Sequence, residues 1–369
     1  MAKKVLMTAS VWRHIENFHL PYLREFQNLG WETHVGCCGI PADIPFINQS
    51  IDLPFRKKML SAANFRAALM IRDLVRQEGY DLIITHTTLA AFFTRLAVKG
   101  KKDRPRLINV MHGYLFDGNT AFVKRAVLFA AEKLTSPETD LLLTMNEWDD
   151  TFAKKNLLGK RIEKIPGMGV DFSRLHGPSK EDGILLRKKL GIPDDAFVLI
   201  YPAEFSKRKN QQVLIRAIRS LPEKVWLVLC GTGELLENCR QLAGKLQVKE
   251  RVLFPGQIGN IAEWYRMADA AVSSSRSEGL PFNIMEAMYM GLPVIASAVK
   301  GHTDLIRDGE NGFLYPLRHE EQLRECVRFL AQSQEMRTAL GKEAKSSVTR
   351  YELSCVLPEV LNCYLDLLL

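Results

Sequence analysis

Residues Ser273 to Met288 read SSSRSEGLPFNIMEAM, between an apolar run at Ala270 to Val272 and another at Pro293 to Ala296. A strand, a polar turn with one glycine and one proline, a helix and a second strand make one repeat of a parallel α/β sheet. Proline suits the first turn of a helix, where the N–H it lacks has no partner, so the helix opens near Pro281. Gly279 lets backbone approach a ligand closely. The free N–H groups and positive end of that helix form a ready site for a diphosphate. Glu278, ahead of the helix, can reach a sugar hydroxyl. Glu286, about one and a half turns in, can accept hydrogen bonds from two ribose hydroxyls. Taken alone, the two acids read better as a helix cap and a surface carboxylate; the surrounding sequence reverses that preference.

Working outward, the alternation continues in both directions. Strands are expected at Phe197–Pro202, Val225–Cys230, Val252–Phe254, Ala270–Ser273 and Pro293–Ala296. Helices are expected between them at Gln211–Ser220, Glu234–Leu246, Ile261–Ala268 and Asn283–Met290. The first half gives strands at Lys4–Ala9, Glu32–Cys37, Asp81–Thr85, Leu107–Met111 and Asp140–Thr144. It gives helices at His19–Leu29, ended by Gly30, and at Asn64–Glu78, ended by Gly79. The expected fold class is α/β, with two Rossmann-like, doubly wound domains facing a central cleft. The expected boundaries are 1–170 and 171–348, with a terminal helix 349–369 packing back on the first domain. Ligands of open α/β sheets bind beyond the carboxyl ends of the strands.

The 369 residues are 47% hydrophobic and 25% charged, proportions of an ordinary globular protein. No apolar run approaches the roughly 18 residues that span a bilayer, and the apolar stretch after Lys4 is too short for a signal peptide. The seven cysteines form no Cys-x-x-Cys pair. They are expected to be reduced thiols, and the protein cytoplasmic. The formal charge of +8 is uneven: residues 1–170 carry 24 Lys and Arg against 17 Asp and Glu. Clusters at Arg56 to Lys58, Lys99 to Arg106 and Lys124 to Arg125 suit either a solvated face or an anionic membrane surface. No recognition motif for nucleic acid accompanies them.

Ser277 to Ser297 resembles the signature of glycosyltransferase family 4. Further segments are similar to the exopolysaccharide and capsule glycosyltransferases of bacteria: His14 to Leu23, Met111 to Tyr114, Ala203 to Gln211, and Lys300 to Ile306 with Asn311 to Phe313. The resemblance spans residues 5 to about 315. It implies a GT-B fold, a nucleotide-diphosphate-sugar donor on the second domain and retention at the anomeric carbon. It matches Lys209 to the lysine that neutralises the donor diphosphate, where a fixed cation stabilises the charge developing on the leaving group. It matches His112 to a histidine facing the donor sugar. With Glu278 these form the expected catalytic set. The expected donor contacts are Ser206, Gly231, Gly233, Gln257, Ile258, Gly279, Leu280, Pro281, Phe282 and Glu286. His14, Asn17 and Arg208 are expected on the acceptor or phosphate side.

Two departures from the family pattern stand out. Where an arginine is common, five positions before Lys209, this chain has Glu204, for which Lys207 or Arg208 could substitute. The usual Gly-rich turn after the first strand is replaced by Thr8 to His14, so side chains of His14 and Asn17 take the place of direct backbone approach. No metal or other cofactor is expected: the nearest acidic pair, Glu147 and Asp149, follows Asn146, a natural N-cap, and is explained by the helix dipole. The expected function is a retaining, metal-independent transfer from a UDP-linked hexose or N-acetylhexosamine onto a lipid-linked saccharide, with oligomeric state open. The rivals are an inactive nucleotide-sugar-binding or membrane-binding protein and a sugar-nucleotide epimerase. A dinucleotide oxidoreductase lacks its Gly-x-Gly-x-x-Gly.

Overall fold

The computed structural model describes residues 2–41 and 43–368. The chain forms two compact units, one running to Gly169 and resuming at Ser354, the other Val170–Leu353.

The first unit contains β1 (Lys4–Val11), α1 (Trp12–Phe18), α2 (Leu20–Asn28), β2 (Glu32–Cys38), β3 (Gln49–Asp52), α3 (Ala62–Glu78), β4 (Leu82–His86), α4 (Thr88–Val98), β5 (Arg106–Val110), α5 (Phe122–Thr135), β6 (Leu141–Thr144), α6 (Glu147–Asn156) and β7 (Arg161–Lys164). Its seven strands lie in the order β3-β2-β1-β4-β5-β6-β7, with every neighbouring pair parallel. The second unit contains α7 (Lys180–Lys189), β8 (Phe197–Pro202), α8 (Gln211–Arg219), β9 (Val225–Cys230), α9 (Leu236–Lys245), β10 (Val252–Gly256), α10 (Ile261–Met267), β11 (Ala270–Ser273), α11 (Phe282–Tyr289), β12 (Val294–Ser297), β13 (Gly312–Tyr315), α12 (Glu320–Gln332) and α13 (Gln334–Val348). Its order is β10-β9-β8-β11-β12-β13, again parallel. In both sheets the first strand is central and the winding reverses beside it, at β1/β4 and at β8/β11. Those are the switch points where α/β sheets bind ligands.

Strands covered on both faces read as continuous apolar runs. In β8 the side chains of Phe197, Leu199 and Tyr201 join one core cluster with Leu214, Ile218 and Leu227, while Val198 and Ile200 are buried on the other face. In the first unit, Leu6, Ile83 and Leu107 pack against Ala67, Ile71, Phe93 and Ala97 of α3 and α4. The last helix, α14 (Leu353–Asp366), buries Tyr364 against Tyr22 and Phe26, with ring centroids 5.9 and 6.3 Å away.

The expected helix His19–Leu29 is α2, and a further short helix, α1, precedes it and is separated from it at His19. Pro21 is the cause: it has no N–H for the preceding turn, and its ring crowds the carbonyl there. β1 also runs on to Val11 after a register shift, so α1 begins at Trp12 with no open loop before it. Pro281 is the N-cap of α11 rather than its first residue. Strands β3, β7 and β13 add to the expected set, all short strands of four residues.

The seating of α11 depends on two facing glycines. Gly291 ends the turn after α11 at φ +81°, and a Cβ on Gly341 of α13 would lie 2.0 Å from the Gly291 carbonyl oxygen. Backbone cannot yield as a side-chain tip does, so Gly341→Ala should cost about 2–4 kcal/mol. Gly244 in α9 faces open space, and Gly244→Ala should be neutral or stabilising by about 0.5–1 kcal/mol. Urea midpoints of the two variants measure this; equal midpoints would contradict the packing.

Candidate functional site

The turns after β8 and β11 meet at the switch point of the second unit. Ser274 Oγ donates to the carbonyls of Lys209 and Asn210 at 3.1 and 3.0 Å. Asn210 takes up the left-handed region at φ 57°, which asparagine tolerates, and starts α8. Lys209 Nζ then lies 2.6 Å from Glu278 Oε1, and Arg208 Nη1 2.5 Å from Oε2. Ser275 Oγ donates to Oε1 at 2.6 Å and is itself 2.7 Å from the Tyr201 hydroxyl. Glu278 is buried, which opposes its ionisation, yet Lys209 and Arg208 outweigh that and hold the carboxyl at about 2. One carboxylate faces two cations, so the group keeps a net positive charge of one. It stands beside the start of α11, whose first turn has no acidic residue. Together they favour an anion.

Behind Glu278 is His302. Its Nδ1 is 2.7 Å from the Ser297 carbonyl oxygen, so Nδ1 carries the proton, and Nε2 is buried with no partner. Burial lowers its pKa to about 4 despite the nearby Glu278 charge. Gly301 is fixed here because a Cβ would lie 2.7 Å from the Gly279 carbonyl oxygen. His302 lay within a quoted motif but was given no role by sequence reasoning.

Glu286 lies on α11 as expected; it is buried, and both its oxygens are engaged. Arg174 pairs with Oε1, and the Tyr265 hydroxyl donates to Oε2 at 3.0 Å. Burial raises its pKa against the pull of Arg174. Neither partner was foreseen; Arg174 lies in an irregular stretch with no periodic signal.

The remaining predicted donor contacts follow other strand ends of this unit. Gly231 and Gly233 come after β9 at φ 129° and 149°, where a Cβ would meet the carbonyl oxygens of Ala203 and Phe205 at 2.3 and 2.5 Å. These glycines therefore let the turn after β9 pack on the turn after β8. Ser206 Oγ accepts from the Lys209 N–H at 3.4 Å. Gln257 is exposed and Ile258 partly buried after β10, while Leu280, Pro281 and Phe282 lead into α11 beside Gly279. Glu204 is exposed on its turn.

In the first unit, His112 follows β5 and His14 lies in α1. Sequence reading singled out both; the structure adds His19, at the α1/α2 break, and His86, at the end of β4. Each offers a ring nitrogen, and these nitrogens all lie within 4.8 Å of one another. His19 stacks on His86 with centroids 3.6 Å apart, and His14 meets His112 edge-on at 4.4 Å. Burial lowers the pKa of His14 to about 4 and those of the other three well below the usual value. The available signal was positional: a histidine ends β4, which adjoins β1. Asn17 is on the exposed face of α1, outside this cluster. Glu147 and Asp149 open α6 behind Asn146, whose side chain accepts from the Asp149 N–H at 2.9 Å.

Comparison with known proteins agrees with the two-sheet fold. A family model described as Glycosyltransferase Family 4 matches residues 16–203, and one described as Glycosyl transferases group 1 matches 184–347. EpsD of Bacillus subtilis (strain 168), provisionally named a glycosyltransferase, is 32% identical over 99% of this chain and 97% of its own. The UDP-Gal:alpha-D-GlcNAc-diphosphoundecaprenol alpha-1,3-galactosyltransferase of Escherichia coli is 26% identical over 69% of this chain and 67% of its own. Among solved structures, Anabaena Alr3699/HepE in complex with UDP superposes with a TM-score of 0.76 at 19% identity, covering 99% of this chain and 100% of that one. The lipopolysaccharide glycosyltransferase WaaG gives 0.76 at 18% identity, covering 98% and 99%. Two parallel Rossmann-like sheets and these likenesses place the chain in glycosyltransferase family 4, with a GT-B fold.

Proposed function

We propose that this glycosyltransferase takes a UDP-linked hexose or N-acetylhexosamine, retains the anomeric configuration, and transfers the sugar to a lipid-linked saccharide in exopolysaccharide or capsule synthesis. The observation that carries the donor side is the Lys209–Glu278–Arg208 group beside α11, a site that keeps one net positive charge with its buried acid paired. Its charge suits a diphosphate without a metal at that position. Arg208, whose guanidinium shares Glu278 with Lys209, substitutes for the arginine that Glu204 displaces. In this reading Lys209 stabilises the leaving diphosphate as its bond to the sugar breaks. The departing phosphate oxygen takes the acceptor proton while the hydroxyl attacks from the same face. Glu278 orients the sugar. The ribose hydroxyls take the place of Arg174 on Glu286. His112, and His14 with Asn17, serve the sugar and acceptor from the first unit. The name of the Escherichia coli relative, with its UDP-sugar and diphosphoundecaprenol acceptor, supports the choice of substrates.

The acceptor reading also suits a membrane surface. No described helix is long and apolar enough to cross a bilayer. α5, however, leaves Phe122 84% and Val123 73% exposed, with Lys124 and Arg125 next to them. Apolar side chains flanked by basic ones suit the headgroup region of an anionic leaflet.

Three outcomes are expected. Lys209→Ala should lower kcat/KM by roughly 100- to 1000-fold with unchanged circular dichroism, since Arg208 still pairs with Glu278. The measurement is nucleotide release from UDP-sugars with and without membrane lipid extract; release of a rearranged sugar with no acceptor would instead identify an epimerase. Phe122→Ser with Val123→Ser should weaken sedimentation with phosphatidylglycerol vesicles by about tenfold or more, and undiminished binding would remove α5 from the membrane reading.

The third concerns pH. His302 has a folded pKa of about 4, below its ordinary 6.5. Between those values the unfolded chain binds more protons, so stability falls as pH falls through that window, by roughly 3 kcal/mol for this one group. Glu278, held at about 2 against an ordinary 4.5, contributes stability that is full above 4.5 and is lost as pH falls from there to about 2. Denaturation midpoints between pH 7 and 5 should therefore be less steep in pH for His302→Asn than for the unaltered protein. Parallel slopes would refute the assignment.

A further inference from the structure

We propose that His14, His19, His86 and His112 together bind one divalent first-row transition-metal cation, of the zinc class, at the switch point of the first unit. This goes beyond the transfer reading, which uses no metal at the diphosphate and gives no role to His19 or His86.

The argument starts from unpaired nitrogen atoms. Among the described residues, His14 Nε2, both nitrogens of His19 and Nε2 of His86 are buried without a hydrogen-bond partner. Buried polar atoms are nearly always paired, and a group that is not points to an ion or water that completes it. His19 is fully buried, so neither of its nitrogens gains from bulk solvent. These four atoms belong to three rings, and one centre can accept a lone pair from one nitrogen of each. Water supplies two protons and cannot serve three imidazoles; a cation can.

The spacing fits. The four candidate atoms lie within 4.8 Å of one another. Zinc binds imidazole nitrogen at about 2.0–2.1 Å in a tetrahedron, whose edge is therefore about 3.3 Å. His86 Nδ1, the ring nitrogen opposite its unpaired Nε2, and His112 Nε2 face each other as a hydrogen-bonded pair 3.3 Å apart, a separation a shared ion would keep. An all-imidazole set suits zinc, copper, nickel or cobalt rather than magnesium or calcium, which take oxygen.

The backbone around the cluster is held in place. Thr87, directly after His86, has φ 62°, rare for a β-branched residue. Ser10 at the end of β1 secures it: the Ser10 N–H donates to Thr87 Oγ1 at 3.1 Å, and the two hydroxyl oxygens are 2.7 Å apart. Pro21 breaks the helix where His19 turns inward. The cation thus ties the chain after β1, β4 and β5 at one point.

The test uses the full chain, stripped with a chelator and dialysed. Calorimetric titration with Zn2+ should give one site per chain, and Co2+ should give the visible bands of a tetrahedral nitrogen site. His19→Gln and His86→Gln should each weaken Zn2+ by roughly tenfold or more, while His319→Gln, an exposed histidine of the second unit, should not. The Co2+ spectrum keeps the test decisive where a variant fails to fold. Absence of stoichiometric binding, thiolate charge-transfer bands, or affinity unchanged in both variants overturns the proposal. UDP-sugar binding measured in parallel separates the two readings: donor binding without Zn2+ binding refutes only the metal site, and the reverse refutes only the donor site.

Discussion

A buried carboxylate cannot stand alone, and the second unit is arranged around that fact. Removing Glu278 from water costs several kcal/mol unless opposite charge and hydrogen bonds replace the lost hydration. Lys209, Arg208 and Ser275 supply both. The consequence is geometric: the cations come from the turn after β8 and the acid from the turn after β11, so pairing them fixes two strand ends against each other. Tyr201, buried in β8, extends the same network through Ser275 and Ser273. Removal of either cation alone leaves Glu278 with the other, which is why the site can be altered without dismantling the sheet.

The first unit has the same sheet order through β1 to β6 and the same switch point, yet a different chemistry fills it. Beneath its histidines Thr8 is hydrogen-bonded to Thr85 and Thr94 at 2.9 Å each, a neutral polar layer in place of an ion pair. Burial is the main cause of the low histidine pKa values, and for His19, His86 and His112 the neighbouring histidines lower them further. Such a cluster stays uncharged and is satisfied by lone-pair acceptors rather than by carboxylates. One fold thus offers an anion site where lysine and arginine converge and a lone-pair-rich site where imidazoles converge.

Much of this was legible in the sequence because local and tertiary signals agree there. The apolar run Phe197–Pro202 is a strand in both readings, since burial on both faces leaves no alternation to misread. Glu278 and Lys209 could be singled out because each sits in a turn directly after such a strand. The features that escaped depend on what a one-dimensional pattern does not carry. The helix expected at His19–Leu29 gave no sign of the separate helix α1 before it, which appears once β1 runs on to Val11 and the chain turns at Trp12. His86 looked like the end of an ordinary strand, and its meaning appears only when β4 lies beside β1. Arg174 reaches Glu286 across 112 residues of sequence.

Glu204 shows how a site can depart from its family pattern without losing its charge balance. An acid replacing an arginine changes the local sum by two charges, a large perturbation if both groups face the ligand. Here Glu204 is exposed on its turn, where water screens it and its field at Glu278 is weak. Arg208, four residues on, brings a guanidinium to within 2.5 Å of the Glu278 carboxylate. What must be preserved at this position is the second cation near the buried acid, not the residue number that supplies it. The turn between β8 and α8, held by Ser274 and the left-handed Asn210, is long enough to present that cation from either end.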